Sequence, residues 1–392
     1  MESPSPQRPV SEPDWAEFRR EMPVARRWAY LDHAAVAALT GPAQRALAEW
    51  AQDAAVNGTA FYRDWMARLE TVRDRTALLI GATREEIALV PNTTSGISLV
   101  AEGFPWQPGD NVVLPDNEFP SNQYPWLNLA SRGVEARRVH VEDGRIPVER
   151  LAAACDSRTR IVAVSWVGYS TGWRHDVDQL AEMVHRQGAL LFLDAIQGLG
   201  VFPLDVSRTP VDFLAADGHK WLLGPEGAGV CYIRRDHLER LRPFGVGWNS
   251  VVHSHDFQRI ELRLKDTAER YEGGSANVAG FTGLSASLGL LLHYGMEAIS
   301  KRVLEVTDLA CRRLEEAGAV VDSDRGPGRK SGIVIFQVPG RDPAEVRRQC
   351  FARQVMLSCR AGKLRISPHA YNDESDIERL VAAIQGGGKA AG

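Results

Sequence analysis

The sequence is poor in lysine and cysteine, has no long apolar run, and carries no excess of either charge. Its 392 residues include five scattered cysteines, Cys155, Cys231, Cys311, Cys350 and Cys359, with no CxxC pair. An odd, scattered set argues against a disulfide framework and a zinc site, and suits a reducing compartment. No stretch of about 18 apolar residues occurs, so no transmembrane helix is expected. The first residues, MESPSPQRPVSEPDW, are polar and proline-rich without an apolar centre, which reads against a secretory signal. With 46 Lys+Arg against 50 Asp+Glu, the net charge of −4 offers no basic surplus for nucleic acid or an anionic membrane. Only Lys220, Lys265, Lys301, Lys330, Lys363 and Lys389 are lysines, so 6 of the 46 cations leave 40 arginines. That imbalance reflects composition rather than an arginine-based function. At 44% hydrophobic and 24% charged residues, the chain is an ordinary globular one, not disordered, collagen-like or coiled-coil. The expectation is a soluble cytoplasmic protein of two or three domains, large enough for an enzyme core.

From about residue 80 to 235, short apolar runs alternate with amphipathic stretches. EEIALV (85–90), NVVLP (111–115), RIVAVSWV (160–167), ALLFLD (189–194), DFLAA (212–216) and GVCYIRR (229–235) read as buried strands. Between them Val177, Leu180, Ala181 and Val184 recur at helical spacing behind Asp176, a predicted N-cap. Continuous apolar strands alternating with helices imply a doubly wound, mostly parallel sheet covered on both faces. Residues 240–280 are loop-rich, and Leu284 to Glu316 reads as helix interrupted at Gly295. A smaller C-terminal α+β unit follows: strand 332–338, helix 342–353, strand 363–367 and helix 374–385. The expected division is an arm over 1–25, a large domain over 26–280, a small domain over 281–386 and a tail over 387–392.

In a doubly wound sheet, ligands sit beyond the carboxyl ends of the strands. Strand 189–194 ends at Asp194 with Gln197 close behind, and strand 212–216 runs into Asp217-Gly218-His219-Lys220. Strand 85–90 runs into Asn92-Thr93-Thr94-Ser95-Gly96, which opens a helix. The hydroxyls there read either as an ordinary N-cap or as a phosphate cradle at a helix start. Asp194 reads either as a cap or as the counter-charge to a cationic ring. Lys220, set between a buried strand and the glycine-rich GPEGAG, is no solvated surface lysine. Lysine is the side chain that forms Schiff bases. No GxxxxGK[ST] and no GxGxxG spacing occurs, so neither a P-loop nor a dinucleotide fingerprint is present.

This combination resembles the class V aminotransferase family of pyridoxal-phosphate enzymes (fold type I), which spans aminotransferases, cysteine desulfurases, kynureninases and epimerases. The resemblance runs from YLDHAAVA (30–37) to LRISPHAYN (364–372) and is densest over FLDAIQGLG and DFLAADGHKWLLGPEGAGV. It implies that Lys220 carries pyridoxal 5′-phosphate and later moves the Cα proton. It implies that Asp194 faces the pyridine nitrogen, keeping the ring an electron sink. Gln197 would bond the ring 3′-oxygen, and Thr93, Thr94 and His219 would hold the phosphate. Ser275, in YEGGSAN, would reach the phosphate across the interface of a homodimer. Phe119, in NEFPSN, takes the place of the residue that stacks on the ring, with a plain core aromatic as the other reading. Arg365, in KLRIS, matches the arginine that clamps the substrate carboxylate in a bidentate fork.

The chain departs from the family pattern in places. Cysteine desulfurases carry histidine where this chain has Phe119, and asparagine where it has Trp166. They also need a mobile cysteine well upstream of the carboxylate arginine, whereas Cys359 lies six residues before Arg365 and Cys350 falls in a predicted helix. Asp217 stands where many relatives have a serine, and an ionised carboxylate cannot donate to a phosphate. His33, Tyr62, Arg63, Trp166, Tyr169, Trp173 and Trp248 are further candidates for the substrate pocket, with core packing as the alternative for the aromatics. The residues thus rank an aminotransferase first, with a carbon–sulfur lyase or desulfurase, a kynureninase-like lyase or an epimerase as alternatives.

Overall fold

The structure is a computed structural model that describes residues 13–386. The expected tail over 387–392 and residues 1–12 of the expected arm lie outside the described residues. Seven strands form the large sheet: β1 (Ile87–Val90), β2 (Asn111–Pro115), β3 (Glu135–Val139), β4 (Thr159–Ser165), β5 (Leu190–Asp194), β6 (Phe213–Asp217) and β7 (Gly229–Ile233). Their order is β1-β7-β6-β5-β4-β2-β3, and only β7 runs against its neighbours. The fold type I architecture read from the sequence is therefore the one observed.

Each inner strand divides its residues between two cores, because side chains alternate across a sheet. Val162, Val164, Leu191, Leu193, Leu214 and Ala216 enter one core, while Ile161, Ala163, Phe192, Phe213 and Ala215 enter the other. Burial on both faces explains the unbroken apolar runs. The strand β3 was not expected. It is an edge strand reading EARRV, half in solvent, and so has no apolar signature. The strand expected over 160–167 stops at Ser165, and the one over 229–235 stops at Ile233.

The second core receives helix Thr93–Gly103, which starts directly after β1. Its N-cap is Asn92, whose side chain accepts from the Ser95 N–H at 2.9 Å, rather than any of the Thr/Ser run itself. Gly96 lets this helix press onto the sheet, since a Cβ there would stand 2.7 Å from the Ala215 Cβ.

The C-terminal part holds an antiparallel sheet of β8 (Val320–Val321), β9 (Val334–Gln337), β10 (Ser358–Arg360) and β11 (Lys363–Ile366), ordered β10-β11-β9-β8. Helices Met296–Glu316, Pro343–Ala352 and Glu374–Gln385 cover it over a separate core. Helix Val278–Tyr294 packs instead on helices Gly41–Asn57 and Tyr62–Ile80 beside the large sheet. Asp32 bridges to Ser367 in parallel, tying the segment after Ala29–Tyr30 to the end of β11. That tie brings the small sheet against the carboxyl ends of the large one. No helix among the described residues is long and apolar enough to cross a membrane.

Candidate active site

The carboxyl ends of β1, β2, β4, β5 and β6 open onto one cavity of about 300 Å³. Thr93, Thr94, Phe119, Asp194, Gln197, Asp217, His219 and Lys220 line it from the large sheet, and Arg360 and Arg365 from the small one. The turn that carries Lys220 is tight: a Cβ on Gly218 would sit 2.5 Å from the Ala228 carbonyl oxygen. Lys220 is buried, with its Nζ 5.6 Å from the centre of the Phe119 ring. Burial is the main cause that pulls its ammonium down to about 8, partly offset by the charge of Asp194.

Asp194 ends β5 on the cavity side of the sheet and accepts the Ile196 N–H at 3.1 Å. Burial pushes its carboxyl up to about 6, against the pull of Lys220. Behind it Glu118, also buried, accepts from Ser165 N at 2.7 Å and from Asn122 Nδ2 at 3.1 Å. Burial pushes Glu118 up to about 7, and the neighbouring Asp194 adds to the shift.

Arg365 is 1% exposed and is held through three of its five N–H donors. Its Nε donates to Ser358 Oγ at 3.1 Å, its Nη1 to the Tyr169 carbonyl at 2.9 Å, and its Nη2 to Asp32 Oδ1 at 3.4 Å. Burial lowers the guanidinium to about 10 and raises Asp32, each offset in part by the other, so Arg365 stays charged at neutral pH.

The residues present fit pyridoxal phosphate. Thr93 Oγ1 is buried at the start of its helix with no hydrogen-bond partner, and a phosphate oxygen would give it one. Thr94 Oγ1 donates to Ser121 Oγ at 2.8 Å. Asp217 Oδ2 stands 3.0 Å from His219 Nδ1, without the alignment of a hydrogen bond, which turns this carboxylate toward a neighbouring side chain. Gln197 Nε2 donates to the Ala34 carbonyl at 3.0 Å and Oε1 accepts from Trp221 Nε1 at 2.8 Å, leaving one amide hydrogen free. Phe119 is 42% exposed and meets Tyr169 edge-on at 5.2 Å, so it is a cavity aromatic rather than a core one.

Two expected substrate contacts are corrected. His33 is fully buried and does not line the cavity: Nδ1 pairs with the Ser367 carbonyl at 2.9 Å and Nε2 with the Tyr371 hydroxyl at 3.0 Å. Burial lowers it to about 4, so it is neutral. Trp166 continues the alternation of Val162 and Val164 into the first core, where it packs on Phe202, and so leaves the cavity. Trp173 is buried, and Tyr62, Arg63 and Trp248 do not line the cavity. Ser275 is exposed and lines a different cleft beside Pro91 and Ser95. Arg360, Ser121 and Ala34 to Val36 line the cavity without having been anticipated, since loops from distant segments leave no periodic signal. None of the five cysteines lines it. No group of metal-ligating side chains occurs among the described residues.

The fold and this cavity define a pyridoxal-phosphate enzyme. The profile of the family described as aminotransferase class-V matches residues 29–380, and the chain belongs to that family. A protein of Methanothermobacter thermautotrophicus, named a probable cysteine desulfurase, is 31% identical over 94% of this chain and 97% of its own. The Bacillus subtilis protein YcbU, named an uncharacterized aminotransferase, is 26% identical over 94% and 96%. Among solved structures, the cysteine desulfurase CsdA of Escherichia coli aligns with a TM-score of 0.84 at 26% identity, covering 95% of this chain and 97% of that one. The apo cysteine desulfurase of Thermococcus onnurineus aligns at 0.86 and 24%, covering 97% and 99%, and supports the fold.

Proposed function

We propose that the chain is a carbon–sulfur lyase acting on a cysteine-type amino acid. The observation that carries this reading is a cavity with Lys220, Asp194 and Arg365 but no thiol. The relatives named as cysteine desulfurases favour carbon–sulfur chemistry over the aminotransferase that the sequence ranks first. Cys359 Sγ, however, donates to the Pro343 carbonyl at 3.3 Å, and burial raises its thiol, the opposite of what activates a cysteine nucleophile. The sulfur therefore leaves into solution instead of onto the chain.

When bound, pyridoxal phosphate supplies the electron sink for the pair released at the substrate Cα. Lys220 would hold it, and Asp194 would supply the negative charge that keeps the ring nitrogen protonated. The start of helix Thr93–Gly103, with Thr93 and His219, would receive the phosphate. Arg365 orients the substrate carboxylate, and its three existing bonds keep the guanidinium from following the ligand. Lys220, lowered to about 8, is the group placed to accept the Cα proton, and does so increasingly as pH rises through 8. The Cβ–S bond then breaks with its electrons on sulfur, and water completes the products: pyruvate, ammonium and a thiol. Ser275, exposed in its separate cleft, would complete the phosphate site of a second copy in a homodimer.

The test is product analysis with L-cysteine and S-alkylcysteines. The reading expects pyruvate and ammonium in equal amounts, unchanged in Cys359→Ala. Alanine as the product, lost in Cys359→Ala, would mark a desulfurase. Amino-group transfer to an added keto acid would mark an aminotransferase.

A further inference from the structure

Arg360 ends β10 at a hairpin whose register pairs it with Lys363, and pairs Ser358 with Arg365. Paired residues, and residues two apart, share a face of a ribbon, so Arg360, Lys363 and Arg365 stand together. Three cations on one face repel unless each has a counter-charge. Arg365 has Asp32 at 3.4 Å, and Lys363 has Asp322 at 3.3 Å. Among the described residues Arg360 has no carboxylate within salt-bridge distance, and its Nη1 donates to the Cys359 carbonyl at 2.8 Å.

The hairpin turn is tight. Ala361 at φ 49° and Gly362 at φ 73° make a two-residue turn with both residues left-handed. A non-glycine residue costs roughly 1 kcal/mol there, yet the turn fixes the register that aims Arg360. Arg360 is half-buried and lines the same cavity as Lys220 and Phe119, while the candidate phosphate groups Thr93 and Thr94 come from the large sheet.

We infer that Arg360 receives a second anionic group, so that the preferred substrate is an amino acid whose side chain ends in a carboxylate or a sulfur oxyanion. This inference rests on the proposed lyase reading for the bond broken, but the charge preference is independent of it. A fork of donors without an acid is an incomplete pair that such a group completes.

The experiment compares S-carboxymethylcysteine with S-methylcysteine on the holoenzyme, two thioethers split at the same bond that differ by one carboxylate. The expected ratio of kcat/KM is about tenfold or more in favour of the anionic one. In Arg360→Gln the ratio falls toward one, and Arg360→Lys keeps part of it. A parent ratio near one, or a ratio unmoved in Arg360→Gln, overturns the inference. If neither thioether yields pyruvate, the lyase reading fails by itself. The charge preference is then read from binding of glutamate against glutamine to the holoenzyme, followed by the cofactor's absorbance. Tighter glutamate binding that disappears in Arg360→Gln sustains the inference, and equal binding overturns it.

Discussion

Lys220 and Arg365 are buried cations in one cavity, but among the described residues the Lys220 ammonium has no hydrogen-bond partner, while Ser358, the Tyr169 carbonyl and Asp32 hold Arg365 through three bonds. The difference suits the two tasks proposed for these groups. A group that must form and break a bond to a ligand cannot be satisfied by the protein, because every internal partner would compete. A group that only orients a ligand gains from being fixed beforehand. Desolvation lowers both groups: on Lys220 the charge of Asp194 returns part of the loss through space, and on Arg365 the charge of Asp32 does so from within salt-bridge distance.

The sharpest test of this contrast is to remove each cation. Lys220→Ala should lower turnover by at least ~10³-fold, since both cofactor attachment and proton transfer are lost, as steady-state pyruvate release will measure. In the cofactor-free protein the same site should show the opposite effect on stability. The folded value of Lys220, about 8, lies below its ordinary value of 10.5, so its charge opposes folding fully below pH 8 and fades as pH rises toward 10.5. Lys220→Met should thus stabilise the apo form at pH 7 by on the order of 2–3 kcal/mol in urea unfolding. Arg365→Ala should lose about 10²-fold in kcat/KM and also destabilise, by about 3–5 kcal/mol, because Asp32 is left buried and unpaired. Equal signs for the two stability changes would break the comparison.

Smaller effects sharpen it. Attachment of pyridoxal phosphate needs the neutral amine, so its rate in the apo protein should climb about tenfold from pH 7 to 9, with a midpoint near 8. A flat profile would mean that Lys220 is not desolvated. Cys359→Ala should change pyruvate release by less than about twofold, since its thiol lies outside the cavity.

The sequence exposed the parts of this site that sit at strand ends. Asp194 and Lys220 follow unbroken apolar runs, and a polar residue in that place is conspicuous. Burial on both sheet faces made those strands visible, and the exposed edge strand β3 invisible. Side-chain direction was less legible. Trp166 lies next to the cavity along the chain, but the period-two alternation of β4 sends it the other way, a rule that could have been applied once the strand end at Ser165 was known. His33 faces Ser367 and Tyr371, partners more than 330 residues away that no local pattern reveals. Arg360 was anonymous among 40 arginines until the hairpin register placed it beside Arg365.

The most direct measurement uses the scarcity of lysine. The holoenzyme is reduced with borohydride, which fixes the cofactor to its lysine, and the peptides are mapped by mass. With six lysines in the chain, one modified peptide identifies the site. The account predicts the pyridoxyl group on Lys220 alone, and its loss in Lys220→Ala. A group fixed to any other lysine, or a protein that binds no pyridoxal phosphate, would contradict it.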